Sequence, residues 1–230
     1  MKLTFNYKAL LAATALSLGL ISCSKNDDYT PPAISGISII HASPTTEKLD
    51  VFINNTKISV NDFSFGTKMD YLNAYSGKRK FDVAKTGTTT SLKSQEFTLE
   101  PQEGYSLFVI DKLENINFLF LKDDFTQPAA GKARIRFVNL SPDAEALNLA
   151  IAGSPTDLFT NKAFKEASTF ESIDASEKVT FNIKNKTTGA NEVVLADVKI
   201  EAGKVYTIYA KGLKATVDAT KFGAAIFTHK

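Results

Sequence analysis

The 230-residue sequence has no tryptophan, one cysteine and two histidines. A lone cysteine, Cys23, excludes an intrachain disulfide, so the core must hold the fold without a covalent staple. Two histidines, His41 and His229, leave few ligands for a transition-metal centre and few bases to activate a nucleophile. Sugar-binding sandwiches commonly stack sugars on exposed tryptophan, so its absence weakens a carbohydrate reading, which Tyr71, Tyr75 and Tyr105 keep open. An excess of one charge is also missing. Of 27 basic side chains, Lys2 and Lys8 lie in a segment expected to be removed, which leaves 25 against 25 acidic ones. Such a chain has no field to recruit nucleic acid or anionic head groups. No long apolar stripe of helical period occurs, which excludes a major helix.

What is present is a repeat. Ile37–Asn55, with Ser43-Pro44, Glu47, Leu49, Val51 and Ile53, lies over Ile135–Gly153, with Ser141-Pro142, Glu145, Leu147, Leu149 and Ile151. Gly104-Tyr105-Ser106-Leu107-Phe108 lies in the same way over Val205-Tyr206-Thr207-Ile208-Tyr209. A unit that occurs twice sets the unit of folding.

The first 22 residues read as a targeting segment. Lys2 and Lys8 precede Ala9–Ile21, an uncharged run too short for the roughly 20 residues that a spanning helix needs. Leu20-Ile21-Ser22-Cys23 closes that run and resembles the lipobox of bacterial lipoproteins, which implies that Cys23 is acylated on sulfur and becomes the mature N-terminus. Several acyl chains, at about 0.8 kcal/mol per buried CH2, anchor durably. Ser24-Lys25-Asn26-Asp27-Asp28 then resembles the export signal of surface-exposed lipoproteins in Bacteroidetes-type bacteria. As a bare sequence it reads equally as a solvated tether, continued by Pro31-Pro32.

Beyond the tether, short apolar segments alternate with turn signals. In the first copy the strands expected are 34–42, 49–53, 57–60, 69–72, 79–84, 91–99, 105–110 and 117–121, with Asn54-Asn55 and Gly87 marking turns. In the second they are 133–140, 147–151, 168–173, 179–184, 193–200, 205–210 and 224–227, with 157–166 able to hold a helical turn. The expected fold is all-β: two consecutive antiparallel β-sandwich domains, immunoglobulin-like in strand number. The expected layout is a signal peptide over 1–22, a polar tether over 23–32, the first sandwich over 33–126, a linker over 127–131 and the second sandwich over 132–230. Because the linker is short and lacks large apolar residues, the two sandwiches are expected to fold independently.

His41-Ala42-Ser43-Pro44, followed by Leu49-Asp50-Val51-Phe52-Ile53-Asn54, is similar to the bacterial family known as domain of unknown function 4397. Asp70-Tyr71-Leu72 and Gly77 ahead of Arg79–Val83 extend the likeness. The second copy keeps Asn139-Leu140-Ser141-Pro142 but carries Asn139 in place of the histidine and Asn148 in place of Asp50. The resemblance implies secreted or surface-anchored β-sandwiches and supplies no catalytic residue.

Candidate chemistry is sparse. His41 and Ser43 share a strand face, but Asn139 holds the equivalent of His41 and cannot act as a general base, so both positions suit the strand break instead. Asp27-Asp28 and Asp123-Asp124 are paired carboxylates without calcium-loop spacing and are expected to be solvated. His229 stands alone near the C-terminus, and Gly77-Lys78-Arg79-Lys80 lacks the spacing of a phosphate loop. No catalytic, metal or cofactor residue is expected, and Cys23 is the one candidate site, for lipidation. The expected protein is a non-enzymatic outer-membrane lipoprotein facing the cell exterior, a binding or envelope-structural module. Its partners would be the membrane, through the anchor, and a surface protein or glycan, not nucleic acid. The alternative is a fimbria-like subunit that donates Asn117–Leu121 or Ala224–Phe227 as a strand.

Overall fold

The computed structural model describes residues 31–229, so the targeting segment, Cys23 and Asp27-Asp28 lie outside the described residues. Pro32–Lys230 forms one compact unit of sixteen strands. Eight lie before the linker: β1 (Ile34–His41), β2 (Leu49–Ile53), β3 (Thr56–Lys57), β4 (Lys68–Tyr75), β5 (Gly77–Lys85), β6 (Ser91–Leu99), β7 (Gly104–Ile110) and β8 (Asn117–Lys122). Eight follow: β9 (Lys132–Asn139), β10 (Leu147–Ile151), β11 (Asp157–Lys162), β12 (Glu171–Asp174), β13 (Ser176–Asn185), β14 (Asn191–Ile200), β15 (Val205–Lys211) and β16 (Gly223–Thr228).

Both halves have the same strand order. Sheets β4-β1-β7-β8 and β3-β2-β5-β6 form the first sandwich, and β12-β9-β15-β16 and β11-β10-β13-β14 form the second. The expected sandwich fold is present, with one refinement: β1 runs parallel to β7, and β9 to β15, while the other strand pairs are antiparallel. Asn54 and Asn55, at φ 47° and 67°, turn β2 into β3, a left-handed pair that asparagine tolerates. The stretch 157–166 does not form a helical turn. Its first six residues are β11, because Phe159 enters the core and Asp157 binds Asn148 on the adjacent β10 and Lys184 on β13 beyond it.

Three apolar clusters explain the stacking. The first lies inside the first sandwich, where Ile37, Ile39, Leu107 and Val109 of one sheet meet Leu49, Val51, Phe81 and Val83 of the other. The second repeats it with Ile135, Phe137, Ile208, Leu147, Leu149, Phe181 and Ile183. The third joins the two halves: Ile40, Phe108 and Ile110 pack with Val138, Leu140 and Tyr209, flanked by Leu119, Leu121 and Phe227. The inner sheets therefore press against each other, and the unit Pro32–Lys230 is a stack of four sheets. This is why every residue of β7 is buried, whereas β13, in an outer sheet, alternates from Val179 to Asn185. The edge strands β8 and β16 place Leu119, Leu121, Ala225 and Phe227 against this seam.

Candidate functional site

The strand break at Ser-Pro is built alike in both halves. Ser43 Oγ donates to the Asp111 carbonyl at 2.6 Å, and Ser141 Oγ donates to the Gly212 carbonyl at 2.7 Å. Each acceptor sits at positive φ, 71° and 83°, just past the end of β7 or β15. These hydroxyls are ties between strand ends, not exposed nucleophiles. Asn139 meets the expectation of a structural residue: its amide donates to the Lys162 carbonyl at 3.0 Å and its oxygen accepts from the Ser141 N–H at 3.1 Å. His41 does not. It is fully buried against Phe63, rings 5.2 Å apart, and neither ring nitrogen makes a hydrogen bond. Burial lowers its pKa to about 4, with the Glu47 backbone opposing the shift, so the ring is neutral at physiological pH.

Asp50, in the stretch that resembles the family, is also structural. It receives Lys57 at 2.8 Å, Ser59 at 3.4 Å and Thr86 at 3.3 Å, which pins the turn after β5 over the outer sheet. Desolvation raises its pKa, but these partners outweigh it and the net direction is down.

The sequence expectation fails most clearly at Asp123 and His229. Neither is solvated and neither stands alone. The seam has two ends of different character, and the reason lies in residue size. On the seam-facing side of β1 and β7, Ile40, Phe108 and Ile110 give way to Gly36, Ser38, Gly104 and Ser106. Small residues there leave room between the inner sheets, and a polar cluster fills it. Asp123, just after β8, is 3% exposed, Arg136 of β9 is 2% and His229, just after β16, is 2%. Arg136 Nη2 donates to Asp123 Oδ1 at 2.8 Å, Ser106 Oγ donates to the same carboxylate at 2.9 Å, and Tyr71 Oη donates to Asp123 Oδ2 at 2.6 Å. Arg136 Nη1 reaches the Lys122 carbonyl at 3.2 Å and Nε reaches Thr207 Oγ1 at 3.1 Å. Tyr71, Ser106 and Asp123 come from the first half and Arg136, Thr207 and His229 from the second, so the cluster is a bridge.

Counting donors fixes the protons. Thr207 Oγ1 accepts from Arg136, so its own proton is available to His229 Nε2 at 2.8 Å. Tyr71 gives its proton to Asp123, so its 2.6 Å contact with His229 Nδ1 closes only if that nitrogen carries hydrogen. His229 is therefore the neutral Nδ1–H tautomer. Burial lowers its pKa to about 4; Asp123 opposes the shift, while Arg136 and Lys68 add to it. Burial beside the Asp123 carboxylate raises the Tyr71 pKa, which excludes a tyrosinate nucleophile. Asp124, the neighbour of Asp123, is held as carboxylate by Arg134 at 2.6 Å.

Aromatic rings close the polar end. Arg136 lies 4.7 Å from the centroid of Phe170, and Phe125 meets Tyr71 edge-on at 5.6 Å. Phe125 seats directly on the Gly104 backbone, where a Cβ would fall 2.2 Å from its ring. Outside this cover, Ser35, Asn73, Gln102 and Glu103 line a groove of about 280 Å³ beside Tyr71 and Phe125. Among the described residues no three His, Cys, Asp or Glu side chains converge as a metal site would require.

A family model described as "Domain of unknown function (DUF4397)" matches residues 35–150. The chain belongs to that family. The match spans β1 to β10, so it includes Tyr71, Ser106, Asp123 and Arg136 of the bridge but stops before Thr207 and His229. No curated protein matches the chain. Among solved structures, the C-terminal domain of AlgF from P. aeruginosa is similar at 21% identity and TM-score 0.32, covering 43% of this chain and 99% of its own. A family 41 carbohydrate-binding module from streptococcal virulence factors is similar at 11% identity and TM-score 0.24, covering 83% and 96%. A family 26 module from Eubacterium rectale Amy13K, solved with maltoheptaose, is similar at 10% identity and TM-score 0.26, covering 85% and 96%. At such low TM-scores none of these likenesses bears on what this chain binds.

Proposed function

We propose that this DUF4397 protein is a lipid-anchored, non-enzymatic module of the outer envelope that presents two fused sandwiches as one rigid body. One observation carries the reading: the side chains best suited to chemistry, Asp123, Arg136, His229 and Ser106, are buried and bonded to one another across the seam. A buried carboxylate that already accepts from Arg, Ser and Tyr is committed to the seam and closed to a substrate, whereas a satisfied buried network favours one geometry. The anchor rests on Leu20-Ile21-Ser22-Cys23 and the outward address on Lys25-Asp27-Asp28. The partner is a surface protein or glycan met by the exposed sheets.

The decisive experiment is on the full chain in a lipoprotein-processing host. Intact mass should show Cys23 as first residue with acyl chains attached, and Cys23→Ser should leave the chain extractable without detergent. Protease added to intact cells should remove the wild type, while the Asp27→Ala, Asp28→Ala double variant should remain acylated and become protected. A mature chain without acyl mass would overturn the anchor. Equal protease sensitivity of both forms would reduce the acidic pair to tether.

A further inference from the structure

We propose that His229 is an acid-released latch at the polar end of the seam between the two sandwiches. The placement favours this. β16 is an edge strand held on one side by β15, and the backbone N–H of His229 donates to the Val205 carbonyl at 2.8 Å just beyond it. Release of that end therefore breaks no second strand pairing.

Every group facing the ring matters to what a proton would do there. Tyr71 and Lys68 face it from β4, Asp123 from the segment after β8, Arg136 from β9 and Thr207 from β15. Phe125, Phe170 and Phe227 surround it with apolar surface, their ring centroids 6.2, 5.7 and 5.0 Å away. Because Nδ1 already carries hydrogen, an added proton can only take Nε2. Nε2 would change from acceptor to donor against Thr207 Oγ1, which already accepts from Arg136 Nε. Thr207 would then fill both lone pairs and turn its own proton away from its present acceptor. The new charge would have one opposite neighbour, Asp123 at 3.8 Å, which already neutralises Arg136. Two cations would share one carboxylate in a site closed to water, a state that costs more than exposing the strand end. Acid therefore frees the C-terminal end of β16 and uncovers the polar half of the seam, while the Phe108–Leu140–Tyr209 half keeps the sandwiches together.

The test uses the whole mature chain. Imidazole ¹⁵N shifts should report His229 as the neutral Nδ1–H tautomer at neutral pH, with titration well below that of a free histidine. Amide exchange, corrected for intrinsic rates, should show opening of β16 rising about thirtyfold from roughly pH 7.5 to pH 5, the factor expected for a group whose pKa moves from 6.5 to about 4. Amides of β5 and β13 open only with the whole core and should stay better protected than those of β16 across that range. His229→Gln keeps a donor and an acceptor but cannot charge, so its β16 opening should be flat over that range. His41→Asn removes the other buried histidine and should leave the rise intact, which keeps the test decisive if His229→Gln folds poorly. A β16 that opens only with the global core, an unchanged rise in His229→Gln, a rise abolished in His41→Asn, or an Nε2–H tautomer in the wild type would each overturn the latch.

Discussion

Asp123→Ala is the sharpest single perturbation of this fold. The carboxylate accepts from Arg136 at 2.8 Å, Ser106 at 2.9 Å and Tyr71 at 2.6 Å, and its side chain is 1% exposed. Removing it strands a guanidinium whose side chain is 3% exposed, between two sheets. An orphaned buried charge costs about 3–5 kcal/mol, and the loosened Ser106 and Tyr71 hydroxyls keep the figure at the upper end, since these losses overlap rather than add. For a chain of this size each kcal/mol moves Tm by about 2–4 °C, so the variant should melt roughly 10–15 °C below the wild type. Asp123→Ala with Arg136→Met removes both charges and fills the space with an apolar stem. It should recover more than half of the loss, because the cost comes from the unpaired ion and not from the absent pair. Thermal and urea melts of the four chains of this double-mutant cycle give the coupling directly. A loss under about 1 kcal/mol in Asp123→Ala, or a double variant no better than the single one, would refute the bridge as an element of stability.

Three further outcomes follow. His41 has a folded pKa of about 4 against 6.5 unfolded, so unfolding takes up a proton between those values. Stability is complete above pH 6.5, and His41 takes about 3 kcal/mol from it as pH drops to 4; His229, with the same lowered pKa, takes a share of its own, so His41→Asn should remove about half of the slope in urea titrations, and an unchanged slope would contradict the buried neutral ring. Gly104→Ala should destabilise the chain by about 1–3 kcal/mol through collision with the Phe125 ring, and Phe125→Ala should relieve it; equal cost in both backgrounds would place the strain elsewhere. Residues 33–126 and 132–230 expressed separately should each fold, since each has its own cluster, but should self-associate through Phe108, Ile110 and Leu119 or through Val138, Leu140 and Phe227. Monomeric, soluble fragments in analytical ultracentrifugation would show that the seam contributes little.

The sequence determined what depends on neighbours along the chain. Alternation placed Phe81 and Val83 inward, Asn54-Asn55 predicted the first hairpin turn, and the recurrence of Ile37–Asn55 in Ile135–Gly153 anticipated two halves that share one strand order. Pattern stops there because it records which face of a strand is apolar, not what that face meets. The seam left a trace that alternation alone could have flagged: Ile37–His41 and Leu107–Ile110 do not alternate, as strands covered on both faces do not, and Ile135-Arg136-Phe137-Val138 sets an arginine within such a run. Naming the partner of that arginine was beyond any local reading. Asp123 follows a strand at the end of one half, His229 lies near the C-terminus of the other, and Tyr71 sits two strands from Ser106 in the same sheet. Only the stacking of the inner sheets brings them within 3–4 Å, and burial there turns an ordinary loop aspartate into the acceptor that holds two sandwiches as one unit.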